Sequence, residues 1–559
     1  METRNLLIAM VLSIIILATF QTLFPPTKVL HKPSPKETSV TVGERAPTKP
    51  APKVKSREEV LSVAPRVPID TPKLHGSIDL VGARFDDLKL AEYHDTIDPK
   101  SAEIVMFSPP DAPTPHFVDI GWAPADKTVR VPDETSRWEI SGDNKSLTTK
   151  SAVELVWDNG SGLRFTRVLS VDDDYLFTVK QSVENYGAAT VTLLPFASTT
   201  KLGLPAATSY SVLFEGVIGE FDGVLSSTKY GSLKPEEPVE MTARSAWLGF
   251  TDKYWLTALV PATDAAIKGR FTHTKLGEVD RFQADYVDGE RVIPPGGTAE
   301  ASTRFFAGPK VVKLLKAYEV RDGIPNLIEA VDWGWFWFLT KPMFTALDFF
   351  NSATGNFGVA ILLLTVLVKG LFFPLANKSY KSLSKMKLLG PQLAEIKVKF
   401  ADDRQRMHQE TMALYKKEGA SPISGCLPIF IQIPVFFSLY KVLFVTIEMR
   451  HAPFFGWIKD LSAPDPTTIF NLFGYIPWDP PSYLMIGGWP LVMGLTMYFQ
   501  QQLNPKPADE MTAKIMGYLP FIFTFTLSSF PAGMVIYWAW NNTLSATQQW
   551  LIMRRNGAA

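Results

Sequence analysis

Hydrophobic residues are distributed unevenly along the 559-residue chain. Within residues 1–24 an apolar run extends from Leu6 to Phe24, and residues 25–66 are rich in proline, lysine, threonine and serine. Residues 67–312 combine short apolar stretches with turn residues, whereas long apolar stretches separated by polar connections follow. This order predicts a membrane anchor, a flexible linker, an all-β domain and a helical membrane core.

Strand and turn signals dominate the region before residue 312. Residues 157–165 read as a strand, an Asn-Gly turn and a second strand, which is a typical hairpin pattern. Residues 175–179 and 190–194 carry the aromatic and β-branched side chains that suit pleated sheets. Many strands without alternating long helices predict a large antiparallel sandwich.

Six apolar segments are long enough to be interpreted as membrane spans. The first, residues 1–24, is interpreted as an uncleaved anchor with a cytoplasmic N-terminus, because it lacks the short core of a cleaved signal peptide. The other five predicted spans are residues 357–376, 422–446, 484–503, 515–530 and 531–553. The predicted connections are residues 313–356 (amphipathic or interfacial helices), 377–421, 447–483, 504–514 and the tail 554–559.

The charges of the connections predict their orientation. Residues 377–421 contain ten Lys and Arg against five Asp and Glu, whereas residues 447–483 contain two against four. Because basic loops stay in the cytoplasm, the first connection is predicted inside and the second outside. Both termini then lie in the cytoplasm, and the β-domain lies on the outer side of the membrane.

The basic connection 377–421 has its own helical pattern. Leu393, Ile396 and Phe400 fall on one helical face, and Asp402 with Gln405 resembles a capping box that opens a second helix. We interpret the pair as a hairpin that docks a ribosome, a nascent chain or anionic lipid; a simple positive topology signal is the alternative. The candidate docking residues are Lys385, Lys387, Lys397, Lys399, Arg404 and Arg406.

Composition and motifs argue against an enzyme. Lys and Arg total 56, as do Asp and Glu, so the net charge of zero argues against a specific nucleic-acid partner. The single cysteine, Cys426, excludes an intrachain disulfide. The sequence contains no nucleophile elbow, zinc-binding helix or phosphate-binding loop, so we predict no catalytic residue, metal or cofactor. Carbohydrate binding by the sandwich stays open.

One lysine interrupts the span 357–376. Lys369 lies four residues after Thr365, on the same helical face, and eight residues before Asn377. Eight residues of helix place it about 12 Å from the end. A charge within a bilayer costs about 2.5–3.5 kcal/mol on insertion scales, so it usually has a function. The alternative is that the lysine reaches the cytoplasmic interface along its aliphatic stem.

Other spans add polar residues that could meet this lysine. Gln432 lies between prolines. The last span carries a polar stripe of Tyr537, Asn541, Ser545 and Gln548, with Trp538 beside it. Such side chains often only join helices. Together with one cation they predict a hydrated cavity, and the absence of acidic residues from the spans argues against an ion-coupled carrier.

Several of these sequence blocks together resemble the YidC membrane protein insertases of Gram-negative bacteria, over essentially the whole chain. The matching blocks are Thr365-x-x-x-Lys369-Gly370-x-x-x-Pro374, Met412-Ala413-Leu414-Tyr415, Pro422-x-x-x-Cys426-x-Pro428-x-x-x-Gln432-x-Pro434 and Phe530-Pro531-Ala532-Gly533 with Tyr537. The implied fold is a multi-pass α-helical membrane protein with six spans, a five-helix insertase core and a large all-β periplasmic supersandwich domain.

The resemblance also implies a function. It predicts a non-enzymatic insertase and chaperone of the inner membrane that works alone or with the Sec translocon on nascent membrane proteins. The implied positively charged groove contains Lys369, Thr365, Gln432, Tyr537, Trp538 and Asn541. This chain departs from the family at Lys369, where arginine is typical. The alternatives are a transporter of a small anionic solute and a membrane-anchored periplasmic carbohydrate-binding protein.

Overall fold

The computed structural model describes residues 55–557 apart from 205–212, 263–264, 420–421, 477, 479, 482–483 and 506–509. The predicted anchor and most of the predicted linker lie outside the described residues. The chain forms two compact units, one ending at Val331 and one beginning at Asp332.

The first unit is built almost entirely of strands. A short helix, α1 (Arg57–Leu61), precedes them, and α2 (Val312–Arg321) follows them. The strands are β1 (Arg66–Asp70), β2 (Leu74–Asp79), β3 (Arg84–His94), β4 (Glu103–Phe107), β5 (His116–Pro124), β6 (Glu139–Ser141), β7 (Val153–Asp158), β8 (Leu163–Val171), β9 (Leu176–Asn185), β10 (Val191–Leu202), β11 (Gly216–Phe221), β12 (Val224–Lys229), β13 (Val239–Ala243), β14 (Ala246–Thr251), β15 (Trp255–Pro261), β16 (Ile267–Leu276), β17 (Val279–Val287), β18 (Arg291–Ile293) and β19 (Thr298–Pro309).

These strands form two large sheets. The ten-stranded sheet has the order β1-β2-β3-β5-β10-β17-β16-β13, with β4 paired to β3 and β18 paired to β10. The nine-stranded sheet has the order β12-β11-β14-β15-β19-β9-β8-β7-β6. Every pairing between these strands is antiparallel. The predicted large antiparallel all-β domain is confirmed.

The predicted hairpin at residues 157–165 is present. Trp157 on β7 lies opposite Phe165 on β8. Asn159 organises the turn, since its side-chain oxygen accepts hydrogen bonds from the amides of Ser161 at 2.7 Å and Leu163 at 3.0 Å. Asparagine stabilises turns through such local bonds, which is why the sequence signal was informative.

Aromatic rings fill the space between the sheets. Phe85 on β3 packs edge-on against Phe305 on β19, with ring centroids 4.8 Å apart. Phe305 stacks on Phe177 of β9 at 4.7 Å. All three rings are buried, so the apolar core lies between the two sheets.

The opposite face of the ten-stranded sheet carries a row of charges. Phe85 points into the core, so its neighbour Arg84 points away from it. Arg84 forms an ion pair with Asp119 at 2.7 Å, and Arg270 forms one with Asp285 at 3.2 Å. We call the whole series the charge row. From edge to edge it is Arg66, Asp79, Arg84, Asp119, Ser198, Asp285, Arg270 and Glu240 on β1, β2, β3, β5, β10, β17, β16 and β13.

The second unit is helical. Its α-helices within the described residues are α3 (Trp337–Thr354), α4 (Phe357–Leu371), α5 (Phe373–Leu388), α6 (Gly390–Lys399), α7 (Arg404–Lys417), α8 (Pro422–Val445), α9 (Gly488–Leu503), α10 (Glu510–Thr526) and α11 (Ala532–Arg555). By length and composition, none of the described helices suffices alone as a membrane span. Helices α4 and α5 are long and apolar enough to cross a membrane only as a pair, and a bend of 70° separates them. The six spans therefore stay a prediction.

The bend corrects the predicted distance of Lys369 from the end of its helix. Helix α4 ends at Leu371, so Lys369 lies in its last turn and not eight residues from a helix end. The cause is Pro374, which has no amide hydrogen to donate to the carbonyl of Gly370 and whose ring clashes with that carbonyl. The chain turns at Phe372 and restarts with the proline in the first turn of α5.

Helices α6 and α7 lie within residues 377–421, the predicted hairpin, and we call this pair the hairpin. Leu393, Ile396 and Phe400 are its half-buried positions on the first helix, as the pattern indicated. The predicted cap is wrong by one residue: Asp403, and not Asp402, accepts the hydrogen bond from the Arg406 amide at 2.9 Å. Helix α7 begins at residue 404, and only the residue directly before a helix can reach its third amide.

Candidate functional site

A pocket lies between α4, α5 and α8 in the helical unit. Its cavity volume is about 40 Å3. Two of the predicted site residues, Lys369 and Gln432, line it. The remaining lining residues are Val368, Phe372, Leu375, Ala376, Tyr380 and Val435. The wall is mostly apolar, so the few polar groups determine what it can bind.

The half-buried Lys369 reaches across the helices to α11. Its Nζ donates a hydrogen bond to the Ser545 hydroxyl at 2.8 Å. Ser545 in turn donates to the backbone carbonyl of Asn541 at 2.7 Å, and the Tyr380 hydroxyl of α5 also hydrogen-bonds to Ser545. Three helices thus meet at one serine. In the part of the chain that the structure describes, no carboxylate lies within ion-pair distance of Lys369.

A second polar contact joins α8 to α11. The side-chain amide of Gln432 donates to the hydroxyl of Tyr537 at 2.5 Å. Tyr537 is buried, with 4% of its surface exposed. The pocket is therefore linked to α11 at two levels, through Ser545 and through Tyr537.

Tyr537 and the other three predicted groove residues do not line this pocket. Thr365 is buried and donates to the carbonyl of Ile361 within its own helix at 2.7 Å. Trp538 packs against Phe436, with ring centroids 4.7 Å apart, in a separate apolar cluster. Asn541 is buried and contributes its carbonyl to Ser545. Their assigned groove roles stay predictions.

Sequence reasoning missed Tyr380 and Ser545 as site residues. Tyr380 belongs to α5, which the sequence pattern placed in the cytoplasmic connection. The signal for Ser545 was available, because it follows Tyr537 and Asn541 at intervals of four on one face of α11. The bend after Leu371, which brings Tyr380 back to the pocket, could have been suspected from Pro374.

The predicted docking residues lie on and before the hairpin. Lys385 and Lys387 are in the last turn of α5, and Lys397 and Lys399 are in the last turn of α6. Basic residues are favourable there because the end of a helix carries partial negative charge. Arg406 and Lys399 both approach the ring of Phe400, at 5.5 and 5.6 Å. The side chain of Arg404 lies outside the described part.

The hairpin is attached to α5 by an apolar cluster. Met386 and Leu389 are its buried members. Leu393 from α6 and Leu414 and Tyr415 from α7 pack against them. The basic surface is therefore held close to the end of the bent helix pair that carries Lys369.

This arrangement offers charge and hydrogen bonding without reactive groups. A half-buried ammonium favours an acidic or strongly polar partner, since its own contact is a neutral hydroxyl. Among the described residues, no group of three or more His, Cys, Asp or Glu side chains is placed to hold a metal ion. The chemistry supports recognition of a polar segment.

Comparison with known proteins identifies the family. Residues 66–346 match the family model described as the YidC periplasmic domain, and residues 349–558 match the 60Kd inner membrane protein. The membrane protein insertase YidC of Nitrobacter hamburgensis is 52% identical over 521 residues, covering 90% of this chain and 85% of that protein. That of Rhizobium johnstonii is 46% identical over 576 residues, covering 100% and 96%. A crystal structure of an active YidC insertase aligns with 88% of this chain and 95% of its own, at 18% identity and a TM-score of 0.37. The chain belongs to the YidC family of membrane protein insertases.

Proposed function

We propose that this insertase receives the polar part of a nascent membrane protein in the pocket beside Lys369, while the hydrophobic part of the substrate enters the lipid. The membership of the family makes the chain an insertase and not an enzyme, with a periplasmic domain and nascent membrane proteins as substrates. The proposal concerns the route and the residues: Lys369 with Gln432 in the pocket, and Thr365, Tyr537, Trp538 and Asn541 around it.

The contact between Lys369 and Ser545 is the observation that carries the proposal. An ammonium that is half-buried and bound to a hydroxyl keeps hydrogen-bonding capacity for an incoming partner, because ammonium has three donors. A neighbouring carboxylate would neutralise it. The described surroundings supply only neutral polar groups, so the positive field persists in the pocket.

The physical benefit is a lower barrier for polar chain segments. Moving a charged residue to the centre of a bilayer costs about 2.5–3.5 kcal/mol on insertion scales. A wet pocket with fixed dipoles replaces part of the hydrocarbon and shortens the apolar distance that the segment crosses. The hydrophobic segment needs no such help, since lipid is its favourable environment. No chemical energy source is required for this step.

The basic hairpin is proposed to receive the substrate before it reaches the pocket. Its exposed lysines and Arg406 favour an anionic partner, for which a ribosome and the anionic lipid surface are suitable. Work beside the Sec translocon is part of the same proposal. The orientation follows from the basic connection 377–421: both termini and the hairpin are cytoplasmic, and the protein lies in the inner membrane.

Photocrosslinking from the pocket tests the proposal directly. A photoreactive side chain replaces Gln432, which leaves Lys369 intact, and a second version carries it at position 369. Both should crosslink to a stalled nascent membrane protein. The control is position 367, where Leu367 of α4 is 51% exposed but does not line the pocket. Equal or stronger crosslinking from position 367 than from both pocket positions would refute the proposed route.

A further inference from the structure

The connection between α8 and α9 includes a loop with an apolar surface. We call residues 469–476 and 478 the aromatic loop. Tyr475 is 90% exposed and Leu472 is 56% exposed. No residue between 469 and 478 is charged. The exposed large side chains are Phe470, Leu472, Phe473, Tyr475, Ile476 and Trp478. A contiguous exposed apolar patch of this kind marks a contact surface.

The base of the aromatic loop is polar and buried. Asp465, which is 3% exposed, accepts hydrogen bonds from the Trp457 indole at 3.1 Å, the Thr467 amide at 3.0 Å and the Trp489 amide at 2.9 Å. The Thr467 hydroxyl accepts a further bond from the Gly488 amide at 3.0 Å. Gly488 and Trp489 open α9, so the base is fixed to the first turn of that helix.

Thr468, directly before the loop, and the loop backbone also make inward-pointing hydrogen bonds. The buried hydroxyl of Thr468 donates to the carbonyl of Leu484 at 2.8 Å, and the Phe473 amide donates to the carbonyl of Thr468 at 2.8 Å. Leu472 and Phe473 have φ values of 50° and 57°, a left-handed conformation that is unfavourable for bulky side chains. Such strain persists only where the surroundings enforce it, and here it accompanies outward-pointing apolar groups.

We propose that the aromatic loop lies in the outer headgroup layer of the bilayer and anchors the α8–α9 connection to lipid. Tryptophan and tyrosine are the side chains that concentrate at this level. Helix α9, to which the base of the loop is fixed, also exposes apolar side chains at helical spacing: Val492, Leu495 and Phe499. A protein partner is usually matched by charged or hydrogen-bonding groups. The loop has no charged side chain, and its polar side-chain groups are the Tyr475 hydroxyl, the Trp478 indole and the Asn471 amide, which donates to the Trp478 carbonyl at 3.4 Å.

Spin-label accessibility in proteoliposomes tests the anchor. In a full-length Cys426→Ser background, Phe473→Cys or Tyr475→Cys is labelled with a nitroxide. Collision rates are measured with oxygen, which concentrates in lipid, and with a water-soluble nickel chelate. Lys459→Cys is the matched control, because Lys459 is exposed in the same connection and charged. The second loop position avoids replacing a left-handed residue.

The expected result is a several-fold preference for oxygen over nickel at 473 and 475, with the opposite preference at 459. Nickel accessibility at 473 and 475 equal to that at 459 would place the loop in water and overturn the inference. Low collision rates with both oxygen and the nickel chelate would also overturn the inference. That result would mean that protein, for example a second copy of this chain, covers the loop. Neither result alters the crosslinking test of the Lys369 pocket.

Discussion

The Nζ of Lys369 and the hydroxyl of Ser545 are 2.8 Å apart, although 176 residues separate them in the chain. This contact ties the last turn of α4 to the middle of α11 and fixes the ammonium at one side of the pocket. Arginine, which the family resemblance leads us to expect at this position, has a wide planar fork with five donors, whereas lysine is a point charge on a flexible stem. A positioning hydroxyl is therefore more useful to lysine than to arginine.

Two substitutions at Lys369 test whether its positive charge is what the substrate recognises. We expect Lys369→Arg to retain insertion, because the charge stays in the pocket. Lys369→Glu should strongly impair substrates whose translocated segment is acidic, because like charges repel in a medium of low dielectric constant. Insertion of a reporter with acidic or neutral translocated tails measures both effects. Equal activity of the wild type and both variants would contradict an electrostatic role.

Ser545 should act as a positioning residue for the lysine. Ser545→Ala removes a hydrogen bond to a charged group, and such bonds contribute about 1.5–3 kcal/mol. We expect slower insertion of acidic substrates in Ser545→Ala and near-normal insertion in Ser545→Thr, which keeps a hydroxyl. In a Lys369→Arg background the effect of Ser545→Ala should shrink. A loss of the same size in both backgrounds would indicate a purely structural role in helix packing.

His116 should make the β-domain sensitive to acid. The ring is buried against Phe107 and Phe250, and its Nε2 lies 3.2 Å from the Thr199 hydroxyl. Burial, together with nearby Lys201, lowers the pKa of His116 from 6.5 to about 3. The unfolded chain takes up a proton below pH 6.5 and the folded chain does not, so stability falls between pH 6.5 and 3. The expected loss from pH 6.5 to 5 is about 2 kcal/mol.

Hydrogen exchange of β5 and β10 at pH 7 and pH 5, corrected for intrinsic rates, measures the His116 effect. His116→Gln should reduce the pH dependence of the exchange, because glutamine takes up no proton in this range. Asp86 acts in the opposite direction, because burial raises its pKa to about 6. Because Asp86 is present in both proteins, comparing the pH dependence of His116→Gln with that of the wild type isolates the contribution of His116. An unchanged slope in His116→Gln would disprove the prediction.

Asp465 should stabilise the start of α9. Both carboxylate oxygens accept hydrogen bonds, one from the Trp489 amide and the other from Trp457 and Thr467. Asp465→Asn keeps only one acceptor oxygen and leaves a buried donor unpaired, which costs about 1–3 kcal/mol. Thermal unfolding in detergent measures the loss. Asp460→Asn is the control, because the hydrogen bonds of Asp460 use a single oxygen that asparagine retains.

Local features could be predicted from the sequence. The hairpin at Trp157–Phe165 depends on an Asn-Gly turn and two adjacent strands, and the half-buried face of α6 depends on helical spacing alone. The end of α4 could not be placed correctly from apolar length, because Leu371 and Leu375 look alike while Pro374 decides where the helix stops. The cap of α7 is Asp403 and not the predicted Asp402, because the cap is the residue directly before the helix and the pattern placed the helix start one residue too early.

Long-range pairings could not be read from the chain. Nothing in the spacing of β5 and β10 indicates that Asp119 lies opposite Ser198. The polar stripe of α11 was visible, but which of its members meets Lys369 depends on how four helices pack. Tyr380 entered the site only because the chain bends at Phe372. Packing, and not local preference, selects these partners.

The charge row disfavours incorrect strand register in the ten-stranded sheet. A strand that slid by one residue would turn its charged side chain into the aromatic interior. A slide by two residues in β5 would present Phe117 or Gly121 to Arg84 in place of Asp119. These ion pairs are largely covered, and their net contribution to stability is small because taking two charges out of water costs about as much as their attraction returns. Their greater effect here is therefore to discriminate among alternative pairings while the strands assemble, which matters for a domain that must fold after crossing the membrane.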